Sequence, residues 1–266
     1  MDSLLFGLTG FPLGHSFSAK WFADKFRREG IRNSEYINLP VEHPDLLPEL
    51  FKIENLAGFN VTAPYKTEIM RYIDSADPTA SVIGAVNCVV REGGRWKGYN
   101  TDWHGFMVSL KDFIGDLLTM RNGMDSQLRA LVLGSGGAAQ AAMYALKQLG
   151  ICGTFVSRRA DGNNTQPDRK EVHTIGYDAL TQEVIAANTL IVNATPLGTH
   201  PNIDTAPNIP YEYLTCDHRL YDMVYNPSVT KFMHNGISRG ASVINGQQML
   251  ELQAEESWRL FRTAHF

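Results

Sequence analysis

Arg129-Ala130-Leu131-Val132-Leu133-Gly134-Ser135-Gly136-Gly137-Ala138-Ala139 is the stretch on which the fold turns. Arg129–Leu133 reads as a buried strand, and the alanine-rich segment from about Gln140 to Leu149 reads as a helix closed by Gly150. Between them lies a G-x-G-x-x-A pattern, from Gly134 through Gly136 to Ala139. The first glycine turns the chain and the second lets a pyrophosphate approach the backbone. The small third residue lets helix pack on strand, and the helix start offers N–H donors to an anion. A glycine-rich turn that merely packs tightly would give a similar string. The flanking strand and helix point to a dinucleotide site formed by Gly134, Ser135, Gly136, Gly137 and Ala138.

Downstream, Thr154-Phe155-Val156 is the next strand, followed by Ser157-Arg158-Arg159. An NAD-binding protein usually carries Asp or Glu here for the ribose hydroxyls. A guanidinium instead suits a 2′-phosphate, which it can hold through paired hydrogen bonds. The strand end therefore points to NADP(H) over NAD, with solvated strand-end charges as the alternative. Residues 161–168 read as a polar loop and Tyr177–Ala187 as a helix. Further strands are expected at Thr189–Asn193, running into Ala194-Thr195-Pro196, at Arg219–Val224 and at Ala241–Ile244. Strands alternating with helices make an α/β unit.

The upstream residues repeat that alternation. Leu4–Thr9, Tyr36–Leu39 and Gly58–Thr62 read as strands, and Ala19–Glu29 as a helix with Ser18 as its N-cap. Glu92-Gly93-Gly94 is a hairpin signal, with Trp96–Tyr99 as the return strand. In Asn60-Val61-Thr62-Ala63-Pro64-Tyr65-Lys66, Pro64 stands where a helix would begin, which puts Lys66 in its first turn. A helix start is a poor place for a cation. Lys66 therefore either points into solvent or is placed to trade protons. Asp102 precedes an amphipathic run from Trp103 to Leu118, as an ordinary N-cap or as a functional carboxylate. Gln253 falls on the apolar stripe of the last helix, where it must either satisfy backbone or hold a ligand hydroxyl.

Composition bounds the rest. With 266 residues, 44% hydrophobic and 20% charged, the chain can build one large domain or two smaller ones. A net charge of −4 gives no general attraction to nucleic acid or to an anionic membrane. The three scattered cysteines, without a C-x-x-C, argue against a disulfide framework or a zinc site and suit a reducing cytoplasm. No metal is expected. Met1–Leu5 lacks the basic start of a signal peptide, and no apolar run approaches a bilayer span.

Taken in order, these segments resemble the shikimate dehydrogenase family. The likeness rests on Gly14–Ser18, Asn60–Lys66, Ile83–Asn87, Asn100-Thr101-Asp102, Gly134–Ala139, Asn193–Pro196, Asp222–Pro227 and Asn245–Gln253. It implies an N-terminal substrate domain with a mostly parallel sheet, a Rossmann domain, and a C-terminal helix returning to the first domain. Residues 1–102 plus 240–266 would form one domain and 103–239 the other, with the active site in the cleft between them. The implied reaction is reversible, NADPH-dependent reduction of 3-dehydroshikimate to shikimate, on the route to chorismate and the aromatic amino acids. Close alternatives are a quinate/shikimate dehydrogenase using NAD or both cofactors, and a non-catalytic nucleotide-binding regulator. By position, Lys66 and Asp102 would be the catalytic pair. Ser16 and Ser18 would bind the substrate carboxylate. Thr62, Asn87 and Gln253 would bind ring hydroxyls, and Tyr225 would help close the site. Asn193, Ala194, Thr195, Met223 and Gly246 would join the glycine loop, Ser157, Arg158 and Arg159 around the cofactor. The partner is a small-molecule substrate, and the protein is expected as a monomer or homodimer. Cys88 stands where the family usually has threonine, and Ser157 where it often has asparagine.

Overall fold

Buried apolar strands alternating with amphipathic helices give two α/β units, each built on its own six-stranded sheet. The computed structural model describes residues 3–13, 17–120, 128–158 and 173–266. The first unit comprises Met1–Thr101 and Ala254–Phe266, the second Asp102–Gln253.

The first unit contains β1 (Leu4–Gly10), α1 (Phe17–Glu29), β2 (Ser34–Pro40), α2 (Leu47–Leu50) and β3 (Leu56–Val61). After these come β4 (Ser75–Ala76), α3 (Pro78–Ile83), β5 (Cys88–Glu92) and β6 (Arg95–Tyr99). The strand order is β2-β1-β3-β5-β6-β4. β1 pairs parallel with β2 and β3, and β4 with β6, while β5 runs antiparallel to β3 and β6. The β5–β6 hairpin turns at Gly93 and Gly94, with φ of 56° and 82°, a backbone region glycine enters without strain. Successive residues of a strand face opposite sides of the sheet. Val89 accordingly packs with Phe59, Val61, Ile69 and Trp96 on one face. Cys88 and Val90 pack with Phe6, Phe22, Phe26, Trp258 and Phe261 on the other.

The second unit opens with α4 (Asp102–Phe113) and α5 (Gly115–Met120). It continues through β7 (Arg129–Leu133), α6 (Gly137–Gln148), β8 (Cys152–Val156), β9 (Thr174–Ile175), α7 (Gln182–Ala187) and β10 (Leu190–Asn193). β11 (Arg219–Asp222), α8 (Lys231–Ile237) and β12 (Ser242–Ile244) follow, and then α9 (Gln247–His265). The sheet is wholly parallel, in the order β12-β11-β10-β7-β8-β9. Strand order reverses between β7 and β10, and ligands bind at such switch points. Ala130 and Val132 face α4 and α6, while Leu131 and Leu133 pack with Ile185 and Phe232 on the opposite side.

Several expectations are corrected. Ser242–Ile244 hydrogen-bonds alongside β11, so the strand expected with the first domain belongs to the second sheet. The chain returns to the first unit at Ala254, within α9, and not at residue 240. The run from Trp103 to Leu118 is two helices broken at Ile114, with Gly115 opening the second. Ser18 lies inside the first turn of α1 and is not its cap. No α-helix begins at Pro64: Lys66 sits in a turn before a 3-10 helix, Glu68–Arg71. The Lys66 carbonyl accepts from the Val86 N–H at 2.7 Å, a tertiary bond that diverts it from a helical partner four residues on. Lys66 therefore does not stand in the first turn of an α-helix. Ser16, Arg159 and the loop 161–168 lie outside the described residues.

Candidate active site

In the second unit the glycine loop leaves β7 with Gly134 at φ 108°. A Cβ there would lie 3.3 Å from the Ala194 carbonyl oxygen and the Thr195 methyl. A side chain would meet both the backbone strain and the neighbouring loop. Gly136 is the N-cap of α6 and caps it with no side chain, and a Cβ on it would enter open space. Helix N–H donors thus face room that a phosphate group fits. The adjoining cavity, of about 570 Å³, is lined by Gly134, Ser135, Gly136, Ser157, Arg158, Ala194 and Thr195. Gly137 and Ala138 form the first turn of α6. Tyr177, Pro196, Leu197 and Asn208 also line the cavity, and the sequence reading missed them. They come from loops and a 3-10 turn whose approach to β7 depends on the parallel register, which no local pattern announces.

The loop after β10 is held by Asn193, whose side-chain oxygen accepts from the Thr195 N–H and hydroxyl at 3.0 and 2.6 Å. Its amide donates to Asp222 at 2.9 Å. Asp222 also accepts from the Val224 N–H and from the Thr230 hydroxyl. Burial raises its carboxyl to about 6, against the pull of these three donors. Met223, the next residue, donates its N–H to the Asn193 carbonyl, and Gly246 lies against its backbone. Asn193, Ala194, Thr195, Met223 and Gly246 are thereby one connected set. Tyr225 is exposed, and Gln253 donates to the Leu250 carbonyl three residues back.

In the first unit, Thr62 follows β3 and donates its N–H to Thr9. Asn87 is buried just before β5, and its carbonyl accepts from the Val61 N–H and the Asn60 amide. Its side chain exchanges hydrogen bonds with Thr101, the residue before the buried Asp102. The Lys66 carbonyl meets Val86, beside Asn87. Thr62, Lys66, Asn87 and Thr101 therefore converge on the ends of β3 and β5. Ser18 hydrogen-bonds the phenol of Tyr36, which donates to Asn60 at 2.9 Å. Asn60, Tyr36, Thr101 and the buried Ser257 are polar members of this cluster to which the sequence reading gave no role. An asparagine inside an apolar strand was the available signal for the first of them. Among the described residues, no group of His, Cys, Asp and Glu side chains could hold a metal ion.

A family model described as the shikimate dehydrogenase substrate binding domain matches residues 8–89. A shikimate dehydrogenase (NADP(+)) of Desulforamulus reducens is 33% identical, over 96% of this chain and 88% of the relative. The chain belongs to the shikimate dehydrogenase family. Among solved structures of that family, shikimate dehydrogenase from Aquifex aeolicus matches with a TM-score of 0.84 at 31% identity, covering 99% of this chain and 94% of that one. Shikimate 5-dehydrogenase from Thermus thermophilus, in complex with NADP(H) and shikimate, matches at 0.80 and 28%, covering 98% and 94%. These family folds share the α/β substrate domain and Rossmann domain expected from the sequence.

Proposed function

We infer that this protein is an NADP-dependent shikimate dehydrogenase, catalysing the reversible reduction of 3-dehydroshikimate to shikimate on the route to chorismate. The observation that carries this is family membership over nearly the whole chain, supported by Lys66, Asp102 and the glycine loop in the sequence motifs that resemble the family's. A non-catalytic nucleotide-binding relict would have no use for the lysine and the aspartate together.

Lys66 and Asp102 are the proton-handling pair. In the oxidative direction Lys66 takes the proton of the C3 hydroxyl as the hydride leaves C3, and in reduction it returns that proton to the C3 oxygen. Asp102 holds the ammonium form by its opposite charge. Ser16 and Ser18 bind the substrate carboxylate, the Ser18 hydroxyl turning to it from the Tyr36 phenol. Thr62, Asn87 and Gln253 orient the ring hydroxyls. NADP, when bound, supplies or accepts the hydride. The cavity beside Gly134 and Gly136 fits its pyrophosphate, and Arg158 fits its 2′-phosphate. Asn193, Ala194 and Thr195 would line the cofactor, and Met223 would lie against its nicotinamide. Arg158 favours this reading over an NAD-dependent quinate/shikimate dehydrogenase. The test is the initial rate of shikimate oxidation with NADP⁺ and with NAD⁺. A clear preference for NADP⁺ is expected, and a strong preference for NAD⁺ would overturn the cofactor assignment.

A further inference from the structure

The C-terminal helix α9 lies over the face of the first sheet that carries Gly58, where an added Cβ would strike the Phe261 ring. Asn60 points to that same face, two residues along β3. Its amide donates to the Ser257 hydroxyl of α9 at 2.8 Å. The Ser257 oxygen also lies 3.0 Å from the Thr101 hydroxyl, in a further hydrogen bond. Thr101 in turn grips Asn87. It receives the Asn87 amide on its hydroxyl at 2.9 Å and donates its N–H to the Asn87 side-chain oxygen at 2.6 Å. Ser257 is wholly buried, and Asn60, Asn87 and Thr101 are nearly so. One hydroxyl from the far end of the chain thus joins the end of β3 to the segment that precedes Asp102. Asn60 is fixed from a third side by the Tyr36 phenol.

We propose that Ser257 is a positioning residue of the substrate half-site. Through Thr101 it sets the orientation of the Asn87 amide and the backbone from which Asp102 leaves. It touches neither substrate nor cofactor. A carboxamide presents a donor on one end and an acceptor on the other, so an unrestrained Asn87 would offer a ring hydroxyl the wrong group in half of its orientations. The Thr101 grip selects one orientation, and Ser257 holds Thr101 to it. This rests on the roles given above to Asn87 and Asp102.

The test is steady-state kinetics on Ser257→Ala, Thr101→Val, Thr101→Ser and the Ser257→Ala/Thr101→Val double variant, alongside their thermal stability. Ser257→Ala and Thr101→Val should each lower kcat/KM for shikimate by about tenfold, the effect of one buried hydrogen bond. KM for NADP⁺ should stay within about twofold, and the double variant within about twofold of the worse single one, because both cut one chain. Thr101→Ser, which keeps the hydroxyl, should restore wild-type rates. Wild-type kcat/KM in Ser257→Ala, even with lowered stability, would overturn the proposal. So would an equal loss towards shikimate and NADP⁺, which marks general loosening. Should Ser257→Ala fail to fold, the Thr101→Val and Thr101→Ser pair decides the same question. A wild-type protein inert towards shikimate would overturn the functional reading and this proposal with it, and that result is read on the wild type alone.

Discussion

Arg158 stands at the end of β8, where a dinucleotide fold that takes NAD would place a carboxylate, and it lines the cavity beside the glycine loop. Its substitution by alanine should lower kcat/KM with NADP⁺ by about 10- to 100-fold, the value of a charge-assisted hydrogen bond to phosphate. The rate with NAD⁺ should change little, and parallel assays with the two cofactors check this. Asp222 makes a second prediction. Burial raises its folded-state carboxyl from 3.8 to about 6. Between those values the folded protein binds a proton that the unfolded chain does not, so this group's contribution to stability is present at low pH. It fades as pH rises through about 6. Stability of the wild type relative to Asp222→Asn should therefore fall across that window, by on the order of 3 kcal/mol, in denaturant unfolding at a series of pH values. Arg158 was legible because its position is fixed by counting from a glycine motif. The buried network around Ser257 was not, because a serine on a helix has no spacing that reveals a partner 156 residues away.

Elements carried by local chemistry were readable from the sequence. The β5–β6 hairpin followed from Gly93-Gly94 between alternating residues, and β7 with α6 from an apolar run, two glycines and a string of alanines. Elements decided by tertiary hydrogen bonds were not. The residues after Pro64 carry a helical pattern, yet the Val86 N–H takes the Lys66 carbonyl and the backbone turns instead. The helix after Asp102 looked continuous because its apolar positions stay in phase across the break near Gly115. A Cβ on Gly246 would lie 2.1 Å from the Met223 carbonyl oxygen, which is backbone and cannot swing aside. Gly246→Ala should destabilise the second unit by about 1–3 kcal/mol and displace Met223. Weakened NADP⁺ binding together with a lowered unfolding midpoint is the expected result.

For the whole molecule, strand–helix alternation called for an α/β unit in the first hundred residues, the amphipathic run after Asp102 marked the passage to a second domain, and the ordered family motifs implied which domain binds what. The boundary was misplaced because β12 is a three-residue edge strand, too short for its sheet to be chosen by pattern. Its partner was settled by pairing with β11. A chain that binds NADP⁺ in its native state is stabilised by mass action, by about 2.7 kcal/mol at a hundredfold excess over Kd. Thermal unfolding should shift upward by about 5 °C under those conditions, with a smaller shift for NAD⁺ at the same concentration. In the function proposed above, Lys66 handles the proton of a shikimate oxidation. This role is tested most directly by measuring shikimate turnover with NADP⁺ and shikimate binding side by side, on the wild type and Lys66→Ala. Turnover should be lower by about 10²- to 10⁴-fold in the variant, with a much smaller change in binding. Near-normal turnover in Lys66→Ala would contradict that role.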